Sequence, residues 1–348
     1  MKILIFGNLG YVGPNVVHQL RDSYPESILI GFDIGYFAHC LTNPYYLPEV
    51  KLNQQLFGDI RNFDTNILKG VDTVIDLAAI SNDPMGNKFE EVTMDVNYRA
   101  ALNLARAAKK AGVRNFVYAS SCSIYGEASE YPKKENDQLN PLTAYARSKI
   151  AAEKDLAPLA DDNFNITCLR FATACGFSNR LRLDLVLNDF VASALTNKEI
   201  TILSDGTPWR PMINTKDMAR AIDWASTRKK ENGGSFLVIN TGSTEWNNQI
   251  KPLADVVAEI IPGTAVSVNK EAAPDKRSYR VNFDLFKELA PNHQPIHDLS
   301  STVKEIRDNL IEMKFNDPKF RESQFIRLKV LNYLQERNLI NEKLIWIK

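Results

Sequence analysis

The run KILIFGNLGYVGP, residues 2–14, decides the fold. Lys2 to Phe6 is an apolar run of strand length, and it stops at Gly7. Gly7, Gly10 and Gly13 then follow at intervals of three. Pro14 opens a segment, Pro14 to Arg21, in which Val16, Val17 and Leu20 recur at helical spacing. In such a strand–turn–helix each glycine has a physical task. One lets the chain turn sharply without a Cβ clash, one lets the backbone approach a pyrophosphate, and one lets the helix pack close to the sheet. A proline in the first turn loses no hydrogen bond. The helix start then offers unpaired N–H groups and a positive dipole end to phosphate oxygens.

The pattern continues outward from this loop. Ile28 to Phe32 is a second apolar run and ends at Asp33, 20 residues after Gly13. An acid there accepts a hydrogen bond from an adenosine ribose and repels a 2′-phosphate, so NAD is expected over NADP. No arginine follows in Ile34-Gly35-Tyr36-Phe37. Thr73 to Ala79, Asn115 to Ser120 and Ile166 to Phe171 read as buried strands. Asn97 to Gly112 and Tyr145 to Leu159 read as Ala-rich helices. Strands alternating with helices predict a parallel sheet covered on both faces. Beyond residue 172 the pattern loosens, although Asp184 to Leu195 and Lys216 to Ser226 remain helical. Phe236 to Asn240 reads as one more buried strand, expected to return to the main sheet. Ser301 to Met313 and Phe325 to Leu339 are amphipathic and expected as packed surface helices. The expected architecture is α/β: a Rossmann doubly wound parallel sheet over 1–171, with the returning strand near 236–240, and a smaller mixed α/β C-terminal substrate domain over 172–348. The active site is expected in the cleft between them.

Composition bounds the partners. The 348 residues carry 42 Lys and Arg against 42 Asp and Glu, a formal net charge of zero. That balance argues against a nucleic-acid binder, which would carry a basic excess. Cys40, Cys122, Cys168 and Cys175 form no C-x-x-C pair, so neither a disulfide framework nor a zinc site is expected. No segment reaches the ~18 apolar residues of a membrane span. The start of the chain lacks the apolar core and cleavage site of a signal peptide. A soluble cytoplasmic protein, without nucleic acid, membrane or metal, is the expectation.

The chemistry is carried by Tyr145-Ala-Arg-Ser-Lys149, which puts a phenol and an ammonium four apart on one helix face. A nearby positive charge lowers a phenol's pKa and suits it to exchange a proton with a sugar or alcohol hydroxyl. The preceding strand ends in Ser120-Ser121-Cys122-Ser123-Ile124-Tyr125-Gly126. Ligands of open parallel sheets bind at such strand ends.

The Gly-x-x-Gly-x-x-Gly loop, Asp33, the serine-rich strand end and the Tyr/Lys pair occur in an order that resembles the extended short-chain dehydrogenase/reductases, the nucleotide-sugar epimerase/dehydratase family. The resemblance implies Ser121, Tyr145 and Lys149 as the catalytic set, with Ser121 orienting the substrate oxygen. It implies cofactor contacts from Gly7, Gly10, Tyr11, Val12, Gly13, Asp33, Asp59, Ile60, Leu77, Ala78, Ala79, Tyr145 and Lys149. It implies substrate contacts from Ser81, Ser121, Cys122, Ser123, Thr173, Asn188, Arg210 and Arg277. The family often has Asn where this chain has Thr173. Asn97 resembles a position that braces the fold. An arginine fork suits diphosphate oxygens, and Arg210 and Arg277 are the arginines in question. The helices at 97–111 and 145–159 resemble the family's four-helix homodimer seam.

The residues beside Ser121 narrow the reaction. The family's dehydratases carry an Asp-Glu pair directly after this hydroxyl residue, where the chain has Cys122 and Ser123. Its decarboxylases have Glu two before the Tyr, and here that place is Ser123. Its 3,5-epimerases place a cysteine there, one residue off Cys122. The resemblance therefore implies a nucleotide-sugar epimerase acting at C4 through a transient 4-keto sugar. A 4-ketoreductase of the same family is the alternative. A dehydrogenase of a small alcohol and a non-catalytic NAD-binding regulator fit less well.

Overall fold

The computed structural model describes residues 1–43, 45–127, 131–269, 271 and 277–347. The first part of the chain forms β1 (Lys2–Phe6), α1 (Gly13–Ser23), β2 (Ile28–Asp33), β3 (Gln54–Phe57), β4 (Thr73–Asp76), α2 (Asp83–Lys88), α3 (Glu90–Met94), α4 (Ala101–Lys110), β5 (Asn115–Ser121), α5 (Ala144–Leu156) and β6 (Asn165–Phe171). The rest forms β7 (Thr173–Cys175), α6 (Val186–Thr196), β8 (Glu199–Ile202), β9 (Trp209–Asn214), α7 (Thr215–Thr227), β10 (Phe236–Thr241), β11 (Asn247–Gln249), α8 (Ile250–Ile260), β12 (Ala265–Val268), α9 (Asp284–Leu289), α10 (Leu299–Glu312) and α11 (Arg327–Glu336).

Seven strands make the main sheet in the order β10-β6-β5-β4-β1-β2-β3, with every pairing parallel. The order reverses between β1 and β4, the place where open α/β sheets bind ligands beyond their strand ends. Ile3, Leu4, Ile5 and Phe6 of β1 are all fully buried, as expected of a strand covered on both faces. Side chains of this kind stabilise the fold by roughly 1.5–3 kcal/mol each when removed from water. The run Phe236–Thr241 does return to this sheet, pairing with β6 at its edge.

Two smaller sheets, β11-β9-β7 and β12-β8, lie with α6, α8 and α10 around a second apolar core. Helix α7 packs back on α1, with Ile222 beside Val16 and Leu20 in the main core. Asp223 of α7 accepts from Gln19 at 2.9 Å, and Thr73 donates to the Ser226 carbonyl at 2.9 Å. Phe283 and Phe286 join the same core.

The expected helix from Asn97 to Gly112 is regular only from Ala101. Residues Asp95–Ala100 form a wider π turn, of the kind found at functional sites. It brings Asn97 against the end of β4: the amide accepts from Ile80 N at 2.8 Å and donates to Ile80 O and to Ser148 Oγ. That is the bracing role expected of Asn97.

Candidate active site

One cleft runs across the ends of β1, β2, β4 and β5 and on toward β7 and β8. The glycine loop forms its floor. Gly7 has φ +79°, and a Cβ there would lie 2.6 Å from Ala78 N. A Cβ on Gly13 would collide with the Asn8 carbonyl, which is how closely α1 approaches the turn. Gly10 differs: its Cβ would meet only Gly7 O, at 3.2 Å, and the residue lines the cleft. Its missing side chain leaves room for a ligand. No side chain caps the start of α1, so its N–H groups remain available to an anion. Beside them, Asp33 accepts Leu9 N at 3.0 Å and Gly35 N at 2.7 Å, one on each oxygen. Burial pushes its carboxyl pKa up against these two bonds. Each oxygen keeps a lone pair for a ribose hydroxyl. Tyr11, Val12, Asp59, Ile60, Leu77, Ala78 and Ala79 line the same stretch. These features fit NAD.

Next along the cleft stand Ser121, Tyr145 and Lys149. Ser121 ends β5 and accepts Ser123 N at 3.1 Å. Helix α5 starts at a Thr143 cap, which accepts Ala146 N, and so fixes the height of Tyr145. The Ser121 hydroxyl acts on the Tyr145 phenol, lowering its pKa. Lys149 donates to Ala119 O at 2.7 Å, with its ammonium 4.5 Å from the Tyr118 ring centroid and 5.6 Å from that of Tyr145. Ser123 Oγ, which also lines the cleft, is buried without a partner among the described residues. An unsatisfied hydroxyl of this kind suits a polar ligand atom.

The expected lowering of the Tyr145 pKa is not found. Burial pushes the phenol up to about 12, and the Ser121 contact only partly opposes it. The Lys149 ammonium is spent on the Ala119 carbonyl, and burial holds its own pKa down while Asp76 and Glu153 oppose that. Tyr145 therefore remains neutral near pH 7 until positive charge enters the cleft. NAD brings such charge on its nicotinamide ring, so binding should lower the phenol pKa and release a proton. Affinity for NAD should consequently rise with pH between the lowered phenol pKa of the bound state and about 12. Difference absorbance of phenolate, wild type against Tyr145→Phe with and without NAD, checks this. A Tyr145 that titrates identically in both states would overturn it.

At the far end the structure brings Ser81, Thr173, Arg210 and Arg277 to the cleft. The Arg210 guanidinium lies 5.8 Å from the Tyr279 ring centroid, and Tyr279 contacts Thr173. Arg277 donates to Asp83 at 2.6 Å. Pro274, Asp275 and Lys276 of that segment lie outside the described residues.

Two expected substrate contacts are not brought to the cleft wall. Cys122 is fully buried in the main core, donates to Arg170 O at 3.0 Å, and has its thiol pushed up by burial. The turn after Ser121 rotates it inward, away from the serine on either side. Asn188 is also fully buried. Its amide donates to Tyr11 Oη at 2.9 Å and Arg182 O at 2.8 Å, and it accepts Gly176 N at 3.1 Å. It thus ties the glycine loop to α6.

The sequence reading also missed a cation. Arg182 lines the cleft, forks onto Asp184 at 2.8 and 3.0 Å, and donates to Ser81 at 2.9 Å. It acts electrostatically on Tyr145, lowering its pKa. The only signal was the spacing Arg182-x-Asp184, which says nothing of where the pair points.

A parallel sheet with a glycine-loop cofactor end and a Ser/Tyr/Lys set at its strand ends defines a nucleotide-cofactor enzyme acting on hydroxyl groups. The chain belongs to the NAD dependent epimerase/dehydratase family, whose model matches residues 3–242. It is 31% identical over 235 residues to an uncharacterized UDP-glucose epimerase of Bacillus subtilis, covering 64% of this chain and 71% of that protein. It is 26% identical over 318 residues to a putative UDP-glucose 4-epimerase of Methanocaldococcus jannaschii, covering 87% and 96%. The fold matches that of the UDP-glucuronic acid 4-epimerase from Bacillus cereus, solved with UDP-glucuronic acid and NAD: TM-score 0.77, 24% identity, 90% of this chain and 100% of that one.

Proposed function

We propose that this protein is a nucleotide-sugar 4-epimerase that uses NAD catalytically. The observation that carries the reading is the Ser121/Tyr145/Lys149 set, beside which no unpaired carboxylate lines the cleft among the described residues; Asp76, which acts on Lys149, is buried off that lining. Of the nearby acids, Asp184 is paired with Arg182 and Asp83 with Arg277. The position after Ser121 is the inward-facing Cys122. Elimination of water needs an acid and a base, and hydroxyl inversion needs only one proton shuttle. NAD, when bound, supplies a reversible hydride acceptor. The Gly7–Gly13 turn and Asp33 hold its pyrophosphate and ribose, and Asp59 and Ile60 its adenine side. Tyr145 takes the proton of the sugar hydroxyl as its carbon becomes a ketone, and returns it to the inverted alcohol. Ser121 holds the same oxygen, and Lys149 orients the nicotinamide ribose. Arg210 and Arg277 take the substrate diphosphate, beside Ser81, Ser123 and Thr173. In this reading 1–171 with the returning strand serves NAD, and most of 172–348 serves the nucleotide sugar. Relatives named for UDP-glucose make UDP-hexoses the first substrates to try.

The test is incubation with UDP-hexoses and substoichiometric NAD. Interconversion of C4 epimers without net cofactor consumption is expected, and stoichiometric consumption of reduced cofactor would indicate the ketoreductase instead. A homodimer through the outer faces of α4 and α5 belongs to the same proposal. Exposed Asn103, Arg106, Arg147 and Lys154 lie there near exposed Glu90 and Glu91, both signs being offered to a twofold copy. Sedimentation as a monomer would exclude it. No helix among the described residues is long and apolar enough to cross a membrane. All four cysteines are free, which suits a reducing cytoplasm and is checked by cell fractionation.

A further inference from the structure

The segment after α11 folds back onto the cofactor end of the cleft. Ile340 bridges to Trp346, and Asn341 Oδ1 accepts both Lys343 N and Ile345 N, closing a tight loop. Leu344 sits at its tip with φ +52° and is fully buried, in a cluster with Tyr36, Ile80, Val92 and Leu331. The polar contacts join the loop to the cofactor side in both directions, from cofactor-side donors to loop carbonyls and from a loop donor to β2's exit. Arg61 donates to Lys343 O at 2.7 Å and Leu344 O at 3.1 Å while its remaining edge forks onto Asp59. The Tyr36 phenol donates to Leu344 O as well. The Trp346 indole donates to Ile34 O at 2.8 Å, and its ring centroid lies 5.6 Å from that of Tyr36.

Ile34 and Tyr36 form the turn directly after Asp33, and Asp59, Arg61 and Leu344 line the cleft with them. The loop therefore grips both edges of the place where Asp33 and Asp59 meet the cleft. Among the described residues, its hydrogen bonds to the cofactor end go to Ile34, Tyr36 and Arg61, and none goes to Ser121 or Tyr145. We propose that residues 340–347 are a clasp that builds the adenosine subsite of NAD by fixing the Ile34–Phe37 turn and the Asp59/Arg61 pair. The proposal rests on the reading of this end as the adenosine end. Its consequence is that cofactor retention, which a catalytic-NAD enzyme needs, depends on a segment about 300 residues away in sequence.

The test is calorimetric titration of the full chain with AMP, NAD and UDP. Trp346→Ala removes the indole donor and the ring. Loss of one or two bonds of this kind should weaken AMP and NAD alike by about 5- to 10-fold. Affinity for UDP should stay within twofold, which also reports that the variant is folded. Tyr36→Phe removes a single phenol donor and carries the test if Trp346→Ala does not fold. AMP and NAD affinities unchanged in the folded variants would overturn the clasp. Asp33→Ala runs beside them: if it alone leaves AMP affinity unchanged, the assignment of this end to adenosine falls, and the clasp with it.

Discussion

Replacing Tyr145 with phenylalanine should lower turnover by about 10³-fold, within the range that a positioned proton-transfer group contributes. The change deletes one oxygen and keeps the ring that packs near Lys149, whose ammonium lies 5.6 Å from its centroid. Lys149 keeps its bond to Ala119 O and its place over Tyr118. Cofactor affinity should therefore change little, while kcat and kcat/KM fall together. That split marks an interaction made in the transition state. Steady-state assay beside NAD titration measures both. A variant with turnover within tenfold of wild type would remove Tyr145 from the proton path. A variant that also lost NAD would instead assign the phenol a binding role.

Replacing Arg170 with methionine should cost about 3–5 kcal/mol of stability, because it leaves a buried carboxylate without its partner. Arg170 and Glu153 are each 6% exposed and pair at 2.7 Å behind the serine-rich strand end. Ser120 donates to the same carboxylate. Arg170 also donates to the Tyr125 hydroxyl at 3.0 Å and to Glu135 O at 2.8 Å, and Tyr125 passes the chain on to Asn240 of β10 at 2.7 Å. The pair thus ties β5, β6 and the returning strand together beneath Ser121 and Tyr145. Urea unfolding should show the loss, and the double variant Arg170→Met with Glu153→Leu should recover part of it. A single variant within 1 kcal/mol of wild type would contradict the account.

These two predictions differ in how far the sequence alone could carry them. Tyr145 and Lys149 are legible because helical spacing puts positions four apart on one face wherever the helix lies. The glycine loop is legible for a similar reason. Its demands are local: a positive φ at Gly7, a close approach at Gly13, open space at Gly10. Asp33 follows because a strand of known length ends there. Arg170, by contrast, reads only as a charge on a strand, and nothing nearby announces Glu153, 17 residues back, as its partner.

The site residues that sequence reasoning misplaced share one cause. Cys122 and Asn188 sit at the right distance along the chain, but which way a side chain turns depends on the surrounding core. A three-residue step after β5 is enough to send Cys122 inward and leave Ser121 and Ser123 outward. Asn188 is drawn off by Tyr11 and the Arg182 carbonyl, partners 177 and 6 residues away. The phenol pKa is a tertiary quantity too. Proximity of Lys149 argues one sign and desolvation the other, and only the buried geometry decides that desolvation wins.

The sequence by itself determined the parallel sheet, the NAD-type loop and the hydroxyl–phenol–ammonium chemistry, since each rests on local spacing and on what a single backbone conformation permits. Only the tertiary structure decided which cations line the cleft, where Asn188 spends its amide, and that residues 340–347 close on the cofactor end. That last contact is made largely to main-chain carbonyls at Lys343 and Leu344, which every residue type carries and no sequence pattern distinguishes.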